Sequence, residues 1–147
     1  HKKMALAIAN LWKQKLGARV ELTNQEWKTY LDSRQSGQFE VIRSSWVADY
    51  NDPSAFLGLW GSHHSGNMAR FANPGYDALL TRAASSRDEG ERARLFDEAE
   101  TILQEEAPIA PIYQYPNARL IKPWLKGYPI NNPEDVAYSR QLYLVKH

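Results

Sequence analysis

Four residues spaced two apart, Arg43, Ser45, Val47 and Asp49, carry the chemistry this sequence advertises most clearly. They fall within residues 39–53, where β-branched Val41 and Ile42 favour a strand and Asn51-Asp52-Pro53 favours a turn or helix start. Strand alternation puts the four on one side of an extended chain, and the six steps from Arg43 to Asp49 reach at most about 20 Å. A cation at one end and a carboxylate at the other suit a short zwitterionic ligand held between them. The same charges also suit a surface ion pair, and spacing alone does not separate the two.

Other residue groups offer less. The adjacent histidines His63-His64 cannot readily turn both rings to one ion, and no cysteine stands near to complete a metal set. Asp97-Glu98 and Glu105-Glu106 read as helix-surface carboxylates without the defined separation that catalytic pairs need. Ser44-Ser45 has no nucleophile-elbow context, and no glycine-rich phosphate loop is present. Trp27 and Trp46 adjoin polar segments, as cleft-wall tryptophans do, whereas Trp60, Tyr113, Tyr115 and Trp124 read as core packing.

The elements that must position these residues follow from periodicity and caps. Met4, Ile8, Leu11 and Trp12 predict a helix over 4–16 that Gly17 ends. A short strand over 18–22 follows. Thr23 with Glu26 three residues on has capping-box spacing and predicts a helix to about Gln35, before the strand that bears Arg43. A short helix over 54–59 and a Gly/Ser/His-rich loop over 60–71 come next. Asn73-Pro74 predicts a helix to about Ala84, and Ser86 with Glu89 predicts another, with Leu95, Phe96, Ala99, Ile102 and Leu103 on one face. Residues 108–115 read as an apolar, aromatic strand. After Pro116 periodic signals thin out, and only 141–145 resembles a terminal strand. Helix and strand in alternation favour a layered α/β domain.

Composition narrows the function classes. The 147 residues suffice for a real core, and 43% hydrophobic with 24% charged residues is ordinary for a globular chain. Eighteen basic against 17 acidic residues leave a net charge of +1, so no broad field attracts nucleic acid or an anionic membrane. Without cysteine there is no disulfide, thiolate nucleophile or cysteine metal site. No run approaches the roughly 20 apolar residues of a membrane-spanning helix. The chain opens at His1-Lys2-Lys3 without an initiator Met, which reads as a piece of a longer protein.

Several words of the sequence resemble one family. Asn24-Gln-Glu-Trp-Lys-Thr-Tyr30, Trp46-Val-Ala-Asp-Tyr-Asn51, Asn117-Ala-Arg-Leu-Ile-Lys-Pro-Trp124 and Tyr143-Leu-Val-Lys-His147 are similar to the C-terminal part of periplasmic oligopeptide-binding proteins. These are the family 5 solute-binding receptors of peptide ABC transporters. Ala107-Pro-Ile-Ala-Pro-Ile-Tyr-Gln-Tyr115 and Lys126-Gly-Tyr-Pro-Ile-Asn-Asn-Pro-Glu-Asp-Val-Ala-Tyr138 resemble its murein-peptide-binding branch. Val47 stands where many general oligopeptide receptors carry a cysteine, a departure that agrees with the murein branch.

The resemblance implies a two-lobed, class II periplasmic-binding-protein-like α/β fold with a mixed sheet flanked by helices, closing over its ligand by hinge motion. Residues 1–116 would form most of the second large lobe, and 117–147 a C-terminal segment returning to the first lobe. Asp49 would pair with the ligand's α-amino group. Arg43, Arg34 and His1 would lie toward its carboxylates, with Arg34 serving the extra carboxylate of a γ-linked D-glutamyl unit. Ser45 and Val47 would offer backbone groups to the peptide as an added strand, and Trp27 and Trp46 would wall side-chain pockets.

The implied protein is a periplasmic, non-catalytic receptor without metal or cofactor. Its implied partners are a short peptide, L-Ala-γ-D-Glu-meso-diaminopimelate, and a membrane permease, with no nucleic acid. A general oligopeptide receptor is the alternative within the class, and a cell-wall peptide hydrolase the alternative outside it. An exposed lobe interface also predicts self-association of this chain on its own.

Overall fold

The computed structural model describes residues 1–116, 118–130 and 136–146. The chain forms two compact units, His1–Ile42 and Arg43–His147. Asn117, residues 131–135 and His147 lie outside the described residues, and with them parts of the sequence words spanning 117–124, 126–138 and 143–147.

In the first unit, α1 (Lys2–Leu16) ends where Gly17 takes left-handed angles, φ 67° and ψ 10°, and donates its N–H to the Lys13 carbonyl at 3.2 Å. Lys13 and Lys15 place positive charge at the negative end of the helix dipole. The second helix, α2 (Trp27–Ser36), starts three residues later than a Thr23 cap predicts. Glu26 itself is the cap: its carboxylate accepts the N–H groups of Lys28 at 2.8 Å and Thr29 at 3.3 Å. A carboxylate that reaches two orphan donors makes the upstream threonine redundant. Ser33 is the only buried residue of this unit.

The second unit holds the apolar core. Asn73 caps α4 (Pro74–Ser85) by accepting the Tyr76 N–H at 3.0 Å, with Pro74 in the first helical position, as predicted. The cap of α5 (Glu89–Glu106) is Asp88, which accepts the Glu91 N–H at 2.8 Å. Ser86, predicted as that cap, instead donates its hydroxyl to the Glu91 carboxylate at 2.7 Å. Between α4 and α5 lie Tyr76, Ala83, Leu95, Phe96, Ala99 and Leu103, all buried, with Phe71 and part-buried Leu57, Leu79, Leu80 and Ile102 around them. The fully buried Tyr76 donates its hydroxyl to the Leu57 carbonyl at 2.6 Å, and burial pushes its pKa upward. That bond ties α4 to α3 (Ser54–Leu57), which runs into a 3₁₀ turn at Gly58–Trp60. Asn67 closes the loop that follows, donating to the carbonyls of Gly61 and Phe71 and accepting the Phe71 N–H.

Three predicted strands, over 18–22, 39–49 and 108–115, are not formed. Strand propensity describes a fit to a pleated surface, and a ladder exists only where a second segment completes the hydrogen bonds. Among the described residues no segment pairs with these three, so the mixed sheet expected from the family is absent as a ladder. The one sheet among the described residues is a short antiparallel pair, β1 (Leu125–Lys126) and β2 (Tyr143–Leu144), with Leu125 opposite Leu144 and Lys126 opposite Tyr143. The terminal strand expected over 141–145 therefore shrinks to two residues, and β1 was not foreseen. Gly127, at φ 80°, follows β1, and any Cβ there would collide with the Gln141 carbonyl oxygen. Only glycine fits that approach.

Candidate functional site

Trp46 and Asp52 pin the segment that carries Arg43, Ser45, Val47 and Asp49 to its surroundings. The Trp46 indole N–H donates to the Ala55 carbonyl, at the start of α3, at 3.0 Å. Asp52 receives a two-pronged grip from Arg92 of α5, Nη1 to Oδ2 at 2.6 Å and Nη2 to Oδ1 at 2.8 Å. It also accepts the Ser54 N–H at 2.9 Å, the local turn chemistry that opens α3. Tyr50 completes the group, its hydroxyl 3.0 Å from the Ser54 hydroxyl. The Arg92 guanidinium holds the Asp52 carboxyl well below the usual carboxylate range, the Ser54 hydrogen bonds help, and partial burial opposes them. At 31% and 22% side-chain exposure this bidentate pair is only partly solvated.

Between these two anchors lies Asp49, in the opposite condition. It is exposed, and among the described residues its carboxylate has no hydrogen-bond or ion-pair partner. Residues 44–49 also make no backbone–backbone hydrogen bond among the described residues. Ser45 and Val47 are exposed as well, and among the described residues their N–H and C=O groups have no backbone partner. Such groups require a partner, whether water, another strand or an extended ligand.

At the other end of the segment, the Arg43 Nη2 donates to the Tyr115 hydroxyl at 2.8 Å. The Tyr113 and Tyr115 rings lie 4.7 Å apart at an interplanar angle of 55°. The hydrogen bond with Tyr115 pushes the Tyr113 pKa up, and Arg43 pulls the other way. These two tyrosines are 49% and 54% exposed, so the expectation that they pack in a core is corrected. Their alternation in sequence, Tyr113-Gln114-Tyr115, puts two amphipathic rings beside one guanidinium, a signal that an apolar reading of 108–115 passed over.

Three further candidates belong to the first unit. Trp27 and Arg34 lie seven residues apart on α2, hence on one helix face, with Tyr30 between them. The Trp27 ring stacks on Tyr30 at 5.3 Å yet stays 68% exposed, while Arg34 is half-buried. His1 precedes α1 and provides no side-chain cap to it. The five candidates from Arg43 to Asp49 are thus gathered on one segment of the second unit, and Trp27, Arg34 and His1 on the first.

Among the described residues no cluster of three histidine or acidic side chains could hold a metal ion. The His64 Nδ1 accepts the Gly66 N–H at 2.9 Å, which engages it in the loop itself. Among the described residues no helix is long and apolar enough to cross a membrane.

Residues 1–68 match the middle region of the bacterial extracellular solute-binding proteins, family 5. Over all 147 residues the chain is 63% identical to the periplasmic murein peptide-binding protein MppA of Escherichia coli K12, covering 27% of that protein. It is 45% identical over its whole length to the periplasmic oligopeptide-binding protein OppA of the same strain, again 27% of the relative. A solved structure of the E. coli murein tripeptide binding protein superposes with a TM-score of 0.86 at 62% identity, over 100% of this chain and 29% of that one. The chain therefore spans just over a quarter of the relatives it matches; its residues 1–68 carry the match to family 5 of the bacterial extracellular solute-binding proteins, and its whole length is similar to periplasmic peptide-binding proteins.

Proposed function

We propose that the whole protein bearing this chain is a periplasmic receptor that binds short peptides, with murein tripeptide as ligand, and hands them to a peptide ABC permease. The observation that carries the reading is the contrast inside one segment: Asp52 is committed to Arg92, while Asp49, three residues earlier, has no partner among the described residues. An exposed carboxylate beside six residues of unpaired backbone suits a peptide's amino terminus followed by its extended main chain. Asp49 takes the amine. The backbone at Ser45 and Val47 pairs with the peptide, and Arg43, braced by Tyr115, lies toward the carboxylate side. Arg34 takes the second carboxylate of the γ-linked D-glutamyl residue, His1 adds a donor, and Trp27 and Trp46 wall the side-chain pockets. End charges and main-chain bonds are common to all peptides, so they supply affinity without reading sequence.

In this reading residues 117–147 return to the first lobe of the receptor, and no residue acts as a catalyst. Murein tripeptide recovered unchanged by mass spectrometry after incubation would support that, and cleaved tripeptide would contradict it. The 45% identity to OppA supports a general oligopeptide receptor as the second reading. Calorimetry of murein tripeptide against trialanine decides between the two. Asp49→Ala weakens tripeptide binding by at least about 2 kcal/mol, and unchanged affinity would remove Asp49 from the site. This chain alone has negligible peptide affinity and self-associates through exposed apolar side chains such as Leu6, Leu11, Val41 and Leu120. Micromolar peptide binding by the chain, or a strict monomer in light scattering, would contradict that.

A further inference from the structure

Arg92 does more than a surface cation ordinarily does. Both Nη atoms bond Asp52, and Nε donates to the Ala83 carbonyl in the last turn of α4 at 3.2 Å. Its guanidinium carbon also lies 4.8 Å from the centre of the Phe96 ring, a buried core residue of α5. All three guanidinium nitrogens are engaged and the plane rests on an aromatic ring, a combination that lysine cannot reproduce. Through Asp52 the grip extends to the Ser54 N–H and hydroxyl, and through Ser54 to the Tyr50 hydroxyl. On its other side the segment is held by the Trp46 bond to Ala55. Residues 47–49 are the short span between these two attachments.

We infer that Arg92 is a positioning residue of the peptide site: it docks the 50–54 turn on the α4–α5 core and so fixes where Asp49 presents its carboxylate. The inference rests on Asp49 being the partner of the ligand's amine. A carboxylate held in place before the ligand arrives loses less freedom on binding, so the anchor contributes affinity although Arg92 need not touch the peptide. An anchor of fold stability alone would tie the same elements together without affecting how Asp49 meets a ligand.

The test uses the whole protein and the variants Arg92→Met and Arg92→Lys, each also combined with Asp49→Ala. Hydrogen exchange by NMR needs no ligand. Arg92→Met should speed exchange at the Ser54 amide and the Trp46 indole by about tenfold or more, with the Leu95 and Ala99 amides unchanged. Calorimetry with murein tripeptide should give affinity weakened on the order of tenfold. Arg92→Lys, which keeps the charge and the fold, should behave like Arg92→Met rather than like wild type. In the Asp49→Ala background neither change at Arg92 should lower affinity further. Unchanged exchange, full affinity in Arg92→Lys, or an equal loss with and without Asp49 would each overturn the inference. Absence of tripeptide binding by the wild type would instead defeat the receptor reading, while the exchange data would still decide whether Arg92 holds the turn.

Discussion

The helix pair α4–α5 and the segment over 43–50 are neighbours in one unit, yet they are built on opposite terms. The pair satisfies itself: Asn73 and Asp88 cap the helix starts, and Tyr76, Ala83, Leu95, Phe96, Ala99 and Leu103 fill the space between. The segment does not. Its backbone over 44–49 has no backbone partner among the described residues, its Asp49 none of any kind, and it keeps its place through side-chain bonds at Trp46 and Asp52. The lesson is a division of labour. A region completed by its own residues serves as scaffold, and a region left incomplete but firmly attached is where a ligand can finish the structure.

The largest expected effect breaks the scaffold. Phe96→Ala removes a buried ring that packs in the core and supports Arg92, and should cost about 3–5 kcal/mol in denaturant unfolding. A loss below 1 kcal/mol would mean that the helix pair is not the stable partner in the comparison.

A smaller effect probes the attachment. Asp52→Asn should cost about 1 kcal/mol at neutral pH, since the bidentate pair is partly exposed. The sign of its pH dependence follows from the depressed folded-state pKa of Asp52. A carboxylate that is more acidic folded than unfolded stabilises the fold above its unfolded value, and that stability is lost as pH falls toward the folded value. Urea titrations should therefore show a constant gap between wild type and Asp52→Asn from pH 7 down to about 5, narrowing only in stronger acid. A gap that closes near neutrality would indicate that Arg92 does not hold Asp52.

The same contrast explains what the sequence revealed. Helix existence was legible because it is local: the apolar face of α5 and the Asn73-Pro74 start need only nearby residues to be read. Cap identity was harder, since Thr23 and Ser86 have the right spacing but Glu26 and Asp88 reach the free N–H groups. The strands over 18–22, 39–49 and 108–115 were misread because propensity says nothing about which segment supplies the other half of a ladder. Of the candidate site, the spacing of Arg43 and Asp49 was visible in the sequence. Which of two nearby aspartates is spoken for was not, because Arg92 lies forty residues beyond Asp52. Tyr115, seventy-two residues from Arg43, was hidden for the same reason.

Whether Asp49 receives a peptide's amino group is decided by one calorimetric comparison. The whole protein would be titrated with murein tripeptide and with the same tripeptide acetylated at its amino terminus, in wild-type and Asp49→Ala forms. Acetylation should weaken binding to the wild type by at least about thirtyfold, equivalent to roughly 2 kcal/mol, and should change little once Asp49 is gone. Equal affinity of the wild type for both peptides would mean that Asp49 does not meet the amino group.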